Sequence, residues 1–166
     1  IEKVSDRQVR DEWKPLWGKR AVVEDHFNEL VIDLLNPAGQ PQRMQLVVRG
    51  YNDGFAFCYK IPEGEGERVN VQSELTGYNF AGDYTAWFYN GENHNIGPEK
   101  LTETDGTRLP VMTVKAGVNH YMAIHEACLE TGAPLVLQSK GRESLFSVAS
   151  KPACLSPGYT SAGRVV

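Results

Sequence analysis

The chain has 166 residues, of which 41% are hydrophobic and 23% are charged, and its formal net charge is −4. These values are typical of a folded globular domain, and they argue against a disordered chain and against a surface built to bind nucleic acid or an anionic membrane. The length suits one domain with a substantial core, so we predict a single domain over residues 1–166.

Runs of β-branched and aromatic residues recur along the chain, and turn formers separate them. We predict strands at residues 20–24, 29–35, 44–51, 54–61, 69–75, 84–89, 109–115, 120–128, 134–138 and 145–149. We predict that residues 156–166 are a loop followed by the start of a further strand. Since no segment shows a sustained helical repeat, the pattern predicts an all-β sandwich or barrel.

The clearest hairpin spans residues 44–61, because Asn52-Asp53-Gly54 tolerates positive φ between two β-prone runs. Its second strand places aromatic and aliphatic side chains on one face, namely Phe55, Phe57, Tyr59 and Ile61. Such a face is more often core than a platform for sugars.

A second aromatic group, Tyr84, Trp87, Phe88 and Tyr89, lies among small residues and precedes a polar loop. Amphipathic rings favour contacts with carbohydrate or with another domain. We therefore hold Trp87 and Tyr89 as candidate contacts of that kind, beside the alternative of an ordinary core strand.

The three cysteines, Cys58, Cys128 and Cys154, are odd in number and widely spaced. This spacing argues against a disulfide framework and against a C-x-x-C metal site. We expect small buried thiols, although the spacing leaves open whether one pair forms a bridge.

The sequence contains no recognisable catalytic template. A Gly-x-Ser-x-Gly elbow, a phosphate-binding glycine loop and a His-Glu-x-x-His helix are all absent. The acidic pairs lie at turns and termini, and none forms the fixed pair of carboxylates that a glycosidase requires. No catalytic residue is assigned.

Glu126 is the most informative residue, because it occupies an apolar face. In the run 121–128, a period of two places Met122, Ile124, Glu126 and Cys128 on one face. A bare carboxylate there costs several kcal/mol, so it must be neutralised, paired with Arg or Lys, or bound to a metal ion. The local pattern leaves both an ion pair and a calcium ligand open, and it favours the ion pair.

Several segments, taken in order, resemble the N-terminal domain of glycoside hydrolase family 97, which comprises α-glucosidases and α-galactosidases typical of gut Bacteroidetes. The segments are DEWKPLWG at 11–18, HFNEL at 26–30, RGYNDGFAFCYKIP at 49–62 and YMAIHEA at 121–127. Asn52 and Cys58 stand where the family usually carries an acid and often a basic residue.

The resemblance implies a super-β-sandwich of the galactose-mutarotase-like kind, packed on a catalytic (β/α)8 barrel of the same polypeptide. It also implies that the chain is incomplete at both ends, that it has no activity alone, and that the parent enzyme is periplasmic or extracellular and acts on α-linked oligosaccharides. The alternatives are a free-standing carbohydrate-binding module and, less favoured, a mutarotase-like enzyme.

In the resembling family, the Glu of the His-Glu-Ala motif is a calcium ligand beside carboxylates of the barrel. Carried over, this role falls on Glu126, with His125 as a substrate-proximal neighbour. One Glu cannot hold calcium alone, because calcium takes six to eight oxygens in typical sites. We therefore expect Glu126 to be an exposed, half-complete ligand in this chain alone.

Overall fold

The computed structural model describes residues 1–39, 43–62, 69–71, 74–91, 95–103, 107–128, 134–139, 145–148, 153–155 and 163–165. Within these ranges the chain forms β-strands and no helix. The strands are β1 Lys3–Trp13, β2 Val23–Leu35, β3 Arg43–Gly50, β4 Phe55–Lys60, β5 Val69–Val71, β6 Gly77–Asn79, β7 Thr85–Tyr89, β8 Ile96–Lys100, β9 Thr107–Lys115, β10 Tyr121–Ala127, β11 Leu137–Ser139, β12 Leu145–Val148, β13 Ala153–Leu155 and β14 Gly163–Val165.

The first four strands form an antiparallel meander, and β14 joins its β4 edge to β10. The register sets one residue from each of six strands in a single row: Arg7, Glu29, Arg49, Ala56, Val165 and His125. Because side chains alternate across a sheet, the residues of this row share one face.

Two strands change partners along their length, which folds the hydrogen-bonded path into two layers. In β10, residues 121–124 pair with β9, whereas residues 125–127 pair with β14. Strand β9 pairs with β7, β10 and β11. The architecture is an all-β two-sheet sandwich, as predicted.

The core lies between the layers. Its fully buried side chains come mainly from the inward faces of β7, β9, β10 and β11, together with Leu101 and Leu135 from loops. Aromatic side chains, among them Phe57 and Tyr78, pack around this centre. Residues of the same face recur two apart along a strand, as Met112 and Val114 do in β9.

The predicted hairpin at 44–61 forms as β3 and β4. The N–H of Tyr51 donates to the carbonyl of Gly54 at 2.8 Å and closes the turn. Ile61 is buried and Phe57 packs on the core, but Phe55 is 45% exposed. The aromatic face of β4 is therefore core along most of its length, with its first ring at the surface.

Four strands were not predicted: β1, β6, β8 and β13. Strand β1 reads KVSDRQVRDEW and is exposed at every position except Val9, so no apolar alternation marks it. Strand β8 contains Pro98, and residues 91–97 read as a turn. His26 lies within β2 opposite Arg10.

The expectation of buried thiols is met only in part. Cys58 is half-buried, and burial raises the pKa of its thiol. Cys128 is exposed, because the chain leaves β10 at that residue. Both are free thiols; the side chain of Cys154 lies outside the described residues.

The part of the chain that the structure describes contains no helix with the length and apolarity needed to cross a membrane.

Candidate functional site

Strand β10 carries Glu126 on its inner face, as the period of two predicted. Ile124 is fully buried and Met122 and Glu126 are half-buried, whereas Tyr121, Ala123, His125 and Ala127 are exposed. The strand ends directly after this position, where Cys128 adopts a φ of 56°. Glu126 thus stands at the end of a hydrocarbon face, where the core meets the rim of the sheet.

A backbone donor forms a hydrogen bond with the Glu126 carboxylate. The N–H of Leu135, which is fully buried just before β11, donates to Oε2 of Glu126 at 2.7 Å. This hydrogen bond offsets part of the cost of placing a carboxylate against hydrocarbon. The expectation that Glu126 would be exposed is wrong: the side chain is half-buried, because the Leu135 donor holds it against the sheet.

The register of β10 and β14 places a basic residue opposite Glu126. Glu126 stands directly opposite Arg164 of β14 in the antiparallel pair. This backbone position is compatible with the ion pair that the local pattern favoured. It is also compatible with a ligand role, since a neighbouring domain can approach a carboxylate at the end of a strand.

His125 lies on the opposite face of β10 from Glu126. It is exposed and lines a cleft of about 690 Å³ between β10 and the β3–β4 turn, together with Tyr51, Asp53 and Tyr121. The two residues of the His-Glu pair therefore do not meet in one pocket within this chain. Contacts that His125 and Glu126 make beyond β10 therefore lie on different sides of the sheet.

The second aromatic group divides between the two faces of β7. Phe88 is buried under the guanidinium of Arg108, at 4.6 Å from the ring centroid, and Tyr84 packs against the core. Trp87 is half-buried on the outer face, and Tyr89 beside it is 39% exposed. Only Trp87 and Tyr89 of this group are placed for a contact outside the core.

Within the described ranges, no three side chains of His, Cys, Asp or Glu converge in a group that could hold a metal ion. Glu126 offers carboxylate oxygens, which are the donors that calcium prefers, and it lies at a rim that a second domain can approach. The chemistry of the donor therefore fits one calcium ligand, and the remaining ligands have to come from elsewhere in the polypeptide.

A charged cluster on the β1–β2–β3 sheet was not predicted from the sequence. Glu29 is 6% exposed and accepts from Nε of Arg7 at 2.6 Å and from Nε of Arg49 at 2.8 Å. The hydrogen bond from Arg7, assisted by the one from Arg49, outweighs burial and lowers the pKa of Glu29. Only the strand register brings these residues together, so the sequence spacing carries no signal of the cluster.

Comparison with known proteins identifies the fold and the family. The sequence matches the glycosyl-hydrolase 97 N-terminal family over residues 1–162. A glycoside hydrolase family 97 enzyme from Pseudoalteromonas sp. strain K8, solved in complex with acarbose, superposes with a TM-score of 0.84 at 23% identity. A variant of that enzyme in complex with panose gives the same values.

The crystal structure of a β-arabinopyranosidase superposes with a TM-score of 0.85 at 16% identity. Each match covers 99% of this chain, but only 27% of the Pseudoalteromonas enzyme and 31% of the arabinopyranosidase. The chain thus spans less than a third of the length of these enzymes.

Proposed function

The chain belongs to the glycosyl-hydrolase 97 N-terminal family, and we propose that it is the non-catalytic sandwich of a calcium-dependent α-glycosidase, packed on a catalytic (β/α)8 barrel of the same polypeptide. In this proposal Glu126 donates one ligand to a calcium site that the barrel completes. The observation that carries it is the position of the Glu126 carboxylate, held at the end of β10 by the N–H of Leu135.

Three features support the ligand role. The side chain is partly desolvated, so its charge interacts more strongly with a cation than an exposed carboxylate does. The hydrogen bond from Leu135 limits its rotation, which reduces the entropy lost on binding. The matched enzymes are more than three times as long as this chain, so a parent enzyme of that length contains further residues that can provide the remaining calcium ligands.

Calcium bound at this place would polarise the substrate or support the acid-base groups of the barrel. This chain's own contribution is positional: β10 and Leu135 hold one ligand in place. The chemistry of bond cleavage belongs to carboxylates of the catalytic domain in this proposal, in keeping with the lack of a catalytic template in residues 1–166.

The substrate proposed for the parent enzyme is an α-linked oligosaccharide. The support is that one relative is solved with acarbose and its variant with panose. We also propose a periplasmic or extracellular location for the parent enzyme. This part of the proposal rests on the family resemblance alone.

The test is hydrolysis of aryl α-glycosides by the full-length polypeptide. We expect calcium-dependent turnover that falls by at least about tenfold in Glu126→Gln, as loss of a ligand or its supporting partner typically does. Glu103→Gln, which removes a charge from an exposed turn, serves as the control and should retain full activity. Turnover by Glu126→Gln with unchanged calcium dependence would refute the ligand role.

The alternative of a free-standing carbohydrate-binding module is less well supported. Tyr84 packs against the core and Phe88 is buried in it, so neither ring is free to stack on a sugar. Titration calorimetry of the 166-residue chain with malto-oligosaccharides and galactosides separates the two functions. The scaffold role predicts no heat of binding at millimolar sugar. Binding that Trp87→Ala abolishes would favour the module instead.

A further inference from the structure

The β1–β2 hairpin extends beyond the sheet that supports its base. Strand β3 ends at Gly50, opposite Asn28, so residues 9–27 form a two-stranded projection that pairs with no third strand among the described residues. We call residues 9–27 the arm. Among the described elements, β1 contacts only β2, and every β1 residue except Val9 is exposed. A two-stranded ribbon of this kind is marginal in water unless it packs on something else.

The tip of the arm exposes large apolar side chains. Leu16 and Trp17 are 101% and 86% exposed, and Trp13 and Val22 behind them are 54% and 40% exposed. Gly18, with a φ of 128°, turns the chain between them. Single exposed apolar residues are ordinary, but four within ten residues form a patch of the kind that marks an interaction site. Exposed Trp is also the residue type most enriched among energetically dominant contacts.

An acidic band lies directly below the tip. The register sets Asp11 opposite Asp25 and Glu12 opposite Glu24. Like charges in directly opposed positions destabilise a strand pair, and basic groups that approach the band relieve this repulsion. Within the chain, the hydroxyl of Tyr51 donates to Oδ1 of Asp25 at 3.5 Å, and Nδ1 of His26 lies 3.8 Å from Oε2 of Glu24. The loop at the tip of the arm, residues 14–21, is positively charged: it contains Lys14, Lys19 and Arg20 and no acidic residue.

Side-chain contacts tie the base of the arm to the sheet. Glu29 ties Arg7 of β1 to Arg49 of β3, and the Arg49 guanidinium lies 4.4 Å above the ring centroid of Phe27. Phe27 is buried and packs on Tyr51 at a centroid distance of 5.3 Å. A surface presented on an anchored arm loses little conformational entropy when it docks.

We propose that the arm tip is the docking surface for the catalytic domain of the same polypeptide, which accepts Leu16 and Trp17 in an apolar pocket and meets the acidic band with basic residues. This inference rests on the proposed function, because it names the surface through which the sandwich and the barrel pack. The length of the matched enzymes, more than three times that of this chain, supplies a domain large enough to cover the arm.

The charge pattern favours a protein partner over a lipid surface. A loop that inserted Leu16 and Trp17 into an anionic bilayer would bring the four carboxylates of the acidic band close to the headgroups, within roughly one Debye length of about 10 Å. A folded domain can instead match both signs at once. Vesicle binding is therefore an outcome that overturns the proposal.

The primary experiment is hydroxyl-radical footprinting of the full-length polypeptide, read at single residues by mass spectrometry. Oxidation of Trp17 should be at least about tenfold slower in the folded polypeptide than in urea, because docked anchor residues exclude water. Oxidation of Trp17 at the same rate in both states would overturn the docking role. The readout does not depend on calcium, so it is independent of the Glu126→Gln test of the proposed function.

Variants supply the second arm of the test. Leu16→Ala/Trp17→Ala in the full-length polypeptide should shift the melting temperature of the sandwich downward or separate it from the barrel as its own transition. Leu75→Ala and Val118→Ala, at residues 80% and 84% exposed and away from the arm, are the matched controls and should melt as the parent does. A melting curve of the double variant that equals the controls overturns the proposal. So does cosedimentation with phosphatidylcholine–phosphatidylserine vesicles that requires Trp17.

Discussion

The backbone N–H of Leu135 donates to Oε2 of Glu126 at 2.7 Å, which ties the end of β10 to the segment that enters β11. The bond joins a carboxylate at the rim of the core to a fully buried residue. It explains how an acid is tolerated on the hydrocarbon face of a strand. It also fixes the orientation from which the proposed calcium ligand acts.

Replacement of Glu29 by Gln should destabilise the sandwich by about 1–2 kcal/mol. The change leaves the Arg7 and Arg49 guanidinium groups without their anion, but these groups are 64% and 42% exposed, so the cost stays below that of breaking a fully buried pair. Urea unfolding followed by circular dichroism measures the difference. Glu24→Gln, whose side chain is 71% exposed, is the control and should change stability by less than about 0.5 kcal/mol. Equal losses in the two variants would contradict the cluster's role.

The lowered pKa of Glu29 predicts how the stability of the sandwich depends on pH. The pKa of Glu29 is lowered from its ordinary value of 4.5, chiefly by the hydrogen bond from Arg7. A lowered pKa in the folded state contributes stability that is fully present above the unfolded value and is lost as pH falls through the folded value. Below about pH 4.5, Glu29→Gln should therefore lose less stability than the parent chain on acidification. Parallel pH profiles of the urea midpoint between pH 3 and 7 would exclude this contribution.

Gly97 allows β8 to approach β7, and Gly97→Ala should disrupt that contact. Its φ is 117°, and an added Cβ would lie 2.5 Å from the carbonyl oxygen of Ala86 and 3.0 Å from Cδ1 of Trp87. Strain and overlap together should cost at least about 2 kcal/mol. Gly50→Ala is the matched control, because nothing lies within 4 Å of its Cβ position. Thermal melting compares the two; a Gly97→Ala chain as stable as Gly50→Ala would show that β8 moves freely.

The fold was predictable wherever a strand buries one face. The alternation in β10 and the turn at 52–54 place Ile124 in the core and Tyr51 beside Gly54, as the structure has them. Strand β1 escaped prediction because almost all of its residues face solvent on both sides, so polarity carries no period. What holds β1 in the sheet is its pairing with β2 and the Glu29 cluster, and neither is encoded in local spacing.

The candidate site was predictable in part. The period of two shows that the carboxylate at position 126 lies on the same face of β10 as Ile124, but it does not predict that the side chain is half-buried. The hydrogen bond from Leu135 was not predictable from the sequence, because every residue except proline carries a backbone N–H. The loop that precedes β11 places this N–H beside Glu126. The separation of His125 from Glu126 follows from strand geometry, because neighbouring residues point to opposite faces.

We propose that Glu126 is a calcium ligand in the assembled enzyme. The most direct measurement is titration calorimetry of calcium into the full-length polypeptide and into its Glu126→Gln and Glu103→Gln variants. We expect Glu126→Gln to weaken calcium binding by at least about tenfold, whereas Glu103→Gln should bind calcium as the parent does. Equal calcium affinity in the parent and in Glu126→Gln would contradict it and would leave Glu126 as a structural carboxylate of the β10 rim.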